Sequence, residues 1–385
     1  MLAHLSTFFR HPTARSIGWV FALQGVLFGT WAALIPFIKH KFGLDEAELG
    51  LLLLSLQGGV LIMNPFSVPI LHRLGAPLAA LVSVAAAAAF FTLPMIAPTV
   101  WLLALALFAA GAGFASANVA MNTCATLLEE RDQLQIMSTC HALWSTGAMV
   151  GSALAGTFTG LGVVPAFWSG SVSFLVVIAI WMQKRNLLPL EKSDKHERAA
   201  QSGQKFTWPS AGLWLIIFLS LCTNVTEGTM ADWSAVYMRE VVLSQDFAVG
   251  WGFAAYAFCM AAGRFAGDAL IARFSAAKVL KVGGAVAAAG MFLLSVLPIM
   301  PFALIWFAMV GAGVAFGAPV LYAAAARAPG MAQGAGLATM NTFAMVGFFG
   351  GPVLIGFLAK LWSLPIAFSV VGILALSWAW QAKRI

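Results

Sequence analysis

The sequence predicts an all-α membrane protein of twelve transmembrane helices in two pseudo-symmetric six-helix bundles, both termini cytoplasmic. Three observations predict it. Of 385 residues, 61% are hydrophobic and 9% charged, more apolar surface than a soluble chain of this length can bury. The apolar residues gather in runs long enough to cross a bilayer. Small residues recur between the two halves at an offset of 200 positions, the mark of a parallel internal repeat.

The elements follow in order. A polar segment from Met1 to Arg15 lacks a cleavable signal pattern. Helix one covers about 16–38 and helix two about 47–71. Asp45, with Glu48 three residues later, is a capping box that starts helix two. Helices three, four, five and six cover about 77–97, 100–127, 136–160 and 164–183. The run Glu129-Glu130-Arg131-Asp132 between four and five is a solvated turn. Residues 1–183 form the first bundle. Residues 184–209 form a linker, rich in Lys, Glu, Asp, Arg and Ser up to Lys205. Helices seven to twelve cover about 210–238, 247–273, 278–299, 301–325, 334–359 and 363–382, and residues 210–385 form the second bundle. Gly25 and Gly29, Pro65 and Pro69, and Gly350, Gly351 and Pro352 are read as points where helices loosen or bend. Cys124, Cys140, Cys222 and Cys259 lack metal-ligand spacing and serve as small core residues.

Net charge is +7. The charges cluster on no soluble domain, so they orient the chain in a membrane rather than bind nucleic acid. With both termini inside, sixteen Lys and Arg fall on the cytoplasmic side. Four, Lys39, Lys41, Arg239 and Lys360, fall outside.

The repeat pairs Gly111 and Gly113 with Gly311 and Gly313, Gly147 and Gly151 with Gly347 and Gly351, Gly50 with Gly250, and Arg73 with Arg273. Gly29-Thr30 pairs with Gly228-Thr229 at an offset of 199. Such a repeat places a binding site between its halves, near the bilayer midplane.

Twelve helices, a doubled six-helix unit and a charged central linker resemble the major facilitator superfamily. That family carries a Gly-xxx-Asp-Arg-x-Gly signature after helix two. Here it is degenerate, with Val68 for the leading Gly and His72-Arg73-Leu74-Gly75 for the rest. Gly263 to Asp268, with Arg273, occupy the matching place in the second half. Three blocks resemble the MosC-like branch, named for a rhizopine-associated membrane protein: Asn118 to Asn122, Met137 to Gly147 and Glu227 to Tyr237. That branch often has Asp at the position of Asn118, so this chain lacks the acid there. The resemblance implies a small polar solute, polyol-like or sugar-like, and a cavity lined by helices 1, 4, 5, 7, 10 and 11.

Glu227 and Asp232 lie on helix seven at membrane depth, where a charge is costly unless paired, hydrated or protonated. Glu227, mid-helix, suits reversible protonation and is the proton-coupling candidate, and a structural acid is the plainer alternative. Asp232 points about 140° away from it, as a second coupling candidate, an external gate or a packing acid. Arg264 and Asp268 share a face of helix eight and are expected to pair as an inner-gate lock, with Arg73 and Arg273 in the same gating set. Arg264 is also the one cation inside a span that an anionic solute would meet. Substrate-binding candidates are Gln24, Trp31, Asn118, Asn122, His141, Asn224, Tyr322 and Asn341. Amides donate and accept hydrogen bonds, and the indole face covers C–H surfaces. His141 is either a proton relay or a fixed donor. Gln57 and Asn64 add polar groups on helix two.

No phosphate-binding loop, metal spacing or nucleophile elbow occurs, so no enzyme and no cofactor are expected. The reading is a proton-coupled symporter, working by alternating access in a bacterial inner membrane, multi-pass and monomeric. Its partners are a small-molecule substrate, protons and lipid. The rivals are a proton-driven efflux pump for amphipathic compounds and a non-transporting membrane sensor. A cavity lined by amides and Trp favours the first, one lined by Phe and Met the second, and no central cavity the third.

Overall fold

The computed structural model describes residues 2–190, 208–328 and 335–384, in which every regular element is helical. Twelve long helices follow in order, numbered here as α1 (Pro12–Phe42), α2 (Glu46–Leu74), α3 (Ala76–Ile96), α4 (Val100–Asp132), α5 (Met137–Gly160), α6 (Pro165–Met182), α7 (Ala211–Glu240), α8 (Trp251–Phe274), α9 (Ala276–Val296), α10 (Phe302–Ala326), α11 (Ala335–Leu361) and α12 (Leu364–Gln381). Outside this numbering are short helices at Leu2–Arg10 and Lys184–Leu187. Among the described residues, ten helices are long and apolar enough to cross a membrane. The other two, α5 and α8, have 24 residues each and carry His141 and Arg264.

Local chemistry sets the helix ends. Asp45 and Glu48 form the capping box at the start of α2. Thr99 caps α4 and Ser363 caps α12. Gly43 ends α1 in the left-handed conformation, which a glycine adopts without penalty. Two details differ from the sequence reading. α8 begins at Trp251, after a separate 3₁₀ turn at Asp246–Ala248. α10 consists of two pieces, Phe302–Val314 and Gly317–Ala326.

In the first half α1 packs on α5, and α4 packs on both α2 and α3. In the second half α7 packs on α11, α8 on α10, and α9 on both α10 and α12. Across the halves α5 packs against α8, α2 against α11, and α1 against α7.

The sequence offset reappears in three dimensions. A Cβ built on Gly111 would lie 1.9 Å from the carbonyl oxygen of Leu56, and one on Gly311 would lie 2.0 Å from that of Tyr256. Gly113 abuts the backbone of Ala87, and Gly313 that of Ala287. Gly147 meets Ala22 and Gly347 meets Leu221, at the offset of 199 that separates α1 from α7. At Gly111, Gly311 and Gly147 any side chain would meet main chain, so the contact needs a glycine, whereas Gly347 faces the Leu221 side chain at 3.0 Å.

Gly25 and Gly29 therefore do not loosen α1. A Cβ on either would sit 2.1 or 2.0 Å from the carbonyl oxygens of Trp144 and Ala148, so both residues let α1 and α5 touch. α2 likewise runs unbroken through Pro65 and Pro69.

One end of the molecule is closed between the halves. Gly50 of α2 lies against the carbonyl of Pro352 on α11, and Gly250, just before α8, against the carbonyl of Ser152 on α5. These contacts are repeat mates, since both residues of each differ from their counterparts by 200. Gly156 and Gly160 abut the backbone of Gly250 and Phe247, and Gly356 abuts Glu46 and Gly50. The Ser152 hydroxyl donates to the Gly250 carbonyl at 2.7 Å, and the Trp251 indole N–H donates to Thr157 at 3.0 Å.

Charges reinforce the same end. Lys39, almost fully buried, donates to Glu240 across the halves at 2.7 Å and to Glu46 at 2.9 Å. Lys360 donates to Asp45 at 2.7 Å. Arg239 lies 3.9 Å from Asp246. The opposite helix ends carry the exposed Arg73, Arg131, Arg273 and Arg327.

Candidate functional site

Between the halves, below the sealed end, lies a cavity of about 330 Å³. Helices of both halves wall it. From the first half come Phe28 of α1, Gln57, Val60 and Asn64 of α2, Phe114 and Asn118 of α4, and Trp144 and Ser145 of α5. From the second come Glu227, Gly228, Ala231 and Asp232 of α7, Phe253, Tyr256 and Met260 of α8, Tyr322 of α10 and Phe349 of α11.

Glu227 and Asp232 of α7 both line this cavity. Glu227 is 3.8 Å from the guanidinium of Arg264 on α8. A second guanidinium nitrogen of Arg264 donates to the Ser145 hydroxyl of α5 at 2.7 Å. One cation therefore links an acid of the second half to a hydroxyl of the first. The sequence reading aimed Arg264 along its own helix at Asp268. The described contacts run to Glu227 on α7 and to Ser145 in the other half, and the Asp268 side chain lies outside the described residues.

Asp232 also lines the cavity, five residues nearer the sealed end, and is 7% exposed. It has no hydrogen bond or ion pair to any described residue. Its side chain lies on the cavity wall, on the inner side of the closed end.

The aromatic rings are continuous across the halves. Phe28 lies 5.4 Å from Trp144, 5.6 Å from Phe114 and 6.1 Å from Phe253, centroid to centroid. Phe253 stacks on Tyr256 at 5.6 Å. These spacings suit favourable aromatic pairs. Phe253 and Tyr256 sit near the sealed end of α8, whereas Asn64, Asn118 and Tyr322 lie further towards the other end of their helices. The rings of α8 thus lie towards the sealed end, and Asn64, Asn118 and Tyr322 towards the other.

Of the substrate-binding candidates, Asn118 and Tyr322 line the cavity. Five others are not among its lining residues. Gln24 is fully buried and donates to the Phe114 carbonyl at 3.2 Å, bracing α1 on α4. Trp31 borders a separate void of about 10 Å³. Asn122 donates to the Asn118 carbonyl at 2.8 Å. His141 packs edge-on against Phe21, 5.4 Å between rings. Asn224 is half-buried on α7, and the Asn341 side chain lies outside the described residues. Arg73 and Arg273 are exposed, and Arg273 covers the ring of Phe274 at 5.2 Å.

The sequence reading missed Phe28, Phe114, Trp144, Ser145, Phe253, Tyr256, Met260 and Phe349. A signal for one existed: Tyr256 is the repeat mate of Leu56, and both line the cavity. The wall has three amides and one Trp, together with four Phe and one Met, so it carries features of both transporter readings.

Comparison with known proteins agrees with this architecture. A sequence profile described as Major Facilitator Superfamily matches residues 17–244. The chain is 31% identical over 367 residues to an uncharacterized MFS-type transporter of Yersinia pestis, covering 95% of this chain and 94% of that one. It is 31% identical to an uncharacterized transporter, y4wD, of Sinorhizobium fredii, with 94% and 95% covered. To the membrane protein MosC of Rhizobium meliloti it is 27% identical, with 90% and 84% covered. Among solved structures it resembles a bacterial homolog of the human lysosomal transporter Spinster, in an inward-facing and unoccupied conformation, at a TM-score of 0.70 and 13% identity, with 97% and 96% covered. It also resembles the nucleoside transporter NupG, at 0.67 and 12% identity, with 96% and 98% covered.

Proposed function

The chain belongs to the major facilitator superfamily, and from that premise we propose that it moves a small polar solute across a bacterial inner membrane by alternating access, coupled to protons through Glu227. Residues 1–183 and 210–385 are the two rocking bundles, 184–209 the linker, and both termini are cytoplasmic. On that orientation the closed end faces outward and the cavity is reached from the cytoplasm.

One observation carries the reading: the cavity between the halves holds an acid whose cationic partner also grips the other half. Protonating Glu227 would remove its attraction for Arg264 and change what ties α8 to α5. A proton taken up at one face can in this way bias the rocking of the halves. Asn118, Tyr322, Gln57 and Asn64 supply hydrogen bonds to the solute, and Trp144 and Phe28 cover its C–H faces.

The test is a thermal-shift screen of sugars, polyols, amino acids and carboxylates at two pH values, followed by uptake in proteoliposomes. A stabilising ligand whose effect depends on pH in wild type, but not in Glu227→Gln, supports the reading. A Glu227→Gln protein that still concentrates the solute against its gradient removes the coupling role.

The second reading, efflux of amphipathic compounds, is favoured by Phe28, Phe114, Phe253, Phe349 and Met260 on the same wall. Proton-driven extrusion of lipophilic dyes from inverted vesicles, with no response to polar solutes, would select it.

A further inference from the structure

The charge inside the cavity is unbalanced. Glu227 faces Arg264 at 3.8 Å, whereas Asp232 faces no cation among the described residues. A buried carboxylate in a membrane span must be paired, hydrated or protonated. Asp232 lines the open cavity, so it is free to take its partner from there.

The surroundings of Asp232 are specific. It lies about 7.5 Å nearer the sealed end than Glu227, at a rise of 1.5 Å per residue. The rings of the wall nearest that end are Phe253 and Tyr256, in the first turns of α8. An aromatic ring presents negative potential on its face, and ammonium groups are recognised by such rings beside a carboxylate. Neutral hydroxyl-rich solutes would be served by the amides lower in the cavity and have no need of an unpaired acid among rings.

We propose that Asp232, with Phe253 and Tyr256, forms the subsite for a protonated amine or quaternary ammonium group, so that the transported solute is an amine-bearing cation. The proposal rests on the transport reading above and refines its substrate class. The ammonium enters first and sits beneath the closed end. The rest of the solute extends towards Asn64, Asn118 and Tyr322. Arg264 stays with Glu227, which keeps the proton-handling acid separate from the solute-binding one.

The test uses matched pairs on the purified full chain: choline and its uncharged tert-butyl analogue, glucosamine and glucose, ethanolamine and ethylene glycol. The expected result is thermal stabilisation by at least one amine member and not by its neutral partner. Affinity should fall at least tenfold in Asp232→Asn, fall severalfold in Phe253→Leu, and persist in Tyr237→Phe, whose side chain lies off the cavity wall. If neutral members stabilise equally, through Asn118 and without Asp232, the amine subsite is wrong and the transport site stands. If no amine of the panel shifts the protein, the subsite is likewise wrong, and proteoliposome flux judges the transport reading separately. Circular dichroism and size exclusion of Asp232→Asn confirm that a loss of binding is not a loss of fold.

Discussion

Arg264 reaches Glu227 and Ser145 at once, 3.8 Å to the acid on the neighbouring helix and 2.7 Å to the hydroxyl in the other half. At that separation the attraction between the charges is about 4 kcal/mol for an effective dielectric near 20, before desolvation is subtracted. Arg264→Ala leaves Glu227 without its cation and is expected to destabilise the fold by about 2 kcal/mol, below the range for fully sealed pairs because the site borders a cavity. Adding Glu227→Gln should restore part of the loss. Thermal melts of the two single variants and the double variant give the coupling, and strictly additive losses would show that the pair is not a unit.

Glycine positions divide sharply. Gly29→Ala places a methyl 2.0 Å from the Ala148 carbonyl oxygen and forces α1 off α5, whereas Gly350 has nothing within 4 Å. Gly29→Ala should cost about 1–3 kcal/mol. Gly350→Ala should be neutral or stabilise by up to about 1 kcal/mol. Equal melting temperatures for the two would contradict the close packing of these helices.

The buried Lys39 separates two acids, Glu46 and Glu240. Lys39→Met removes the bridge and leaves the acids facing each other. The closed end is then expected to open, read as a longer distance between spin labels at the exposed Leu161 and Trp362. An unchanged distance distribution would mean that the main-chain contacts close this end unaided.

The hydrogen bond from Lys360, and then the Glu48 backbone N–H, hold the Asp45 carboxyl below its ordinary range. A lowered value means that this contact contributes fully above the ordinary Asp range, about 4, and is lost as pH falls through the depressed value. The same spin-label distance should therefore hold from neutral pH down to about 4 and lengthen only in stronger acid. In Lys360→Gln the lengthening should begin at higher pH. Coincident profiles for the two proteins would remove Asp45 from the closure.

Tyr237 ends the third of the blocks shared with the MosC-like branch, yet its hydroxyl donates to the Leu294 carbonyl at 2.6 Å and its ring stacks on Phe368 at 4.3 Å. Tyr237→Phe keeps the stack and loses the hydrogen bond, at a cost of about 1 kcal/mol. Transport should be unaffected, and a change in solute affinity would give Tyr237 a role beyond packing α7.

Much of this architecture was legible in the chain. Apolar runs and caps placed the helices to within a few residues, as with α2 at 46–74 against a reading of 47–71. The glycine offsets anticipated contacts such as Gly111 with Leu56 and Gly311 with Tyr256. The cavity wall was less legible. Arg264 and Ser145 are 119 residues apart, and no periodicity within a helix encodes a contact made between helices of different halves. Phe28 and Phe253 could not be told from lipid-facing Phe by composition alone. Gln24 and Trp31 had the right chemistry on the right helix, and their rotation about the helix axis turned them into the packed interior.

The two glycine clasps at the closed end, Gly50 on Pro352 and Gly250 on Ser152, join α2 to α11 and the start of α8 to α5. Because each is made of main chain, neither can slacken by a side-chain flip. Under the proposed rocking of the halves, opening this end would have to part main chain from main chain at both clasps.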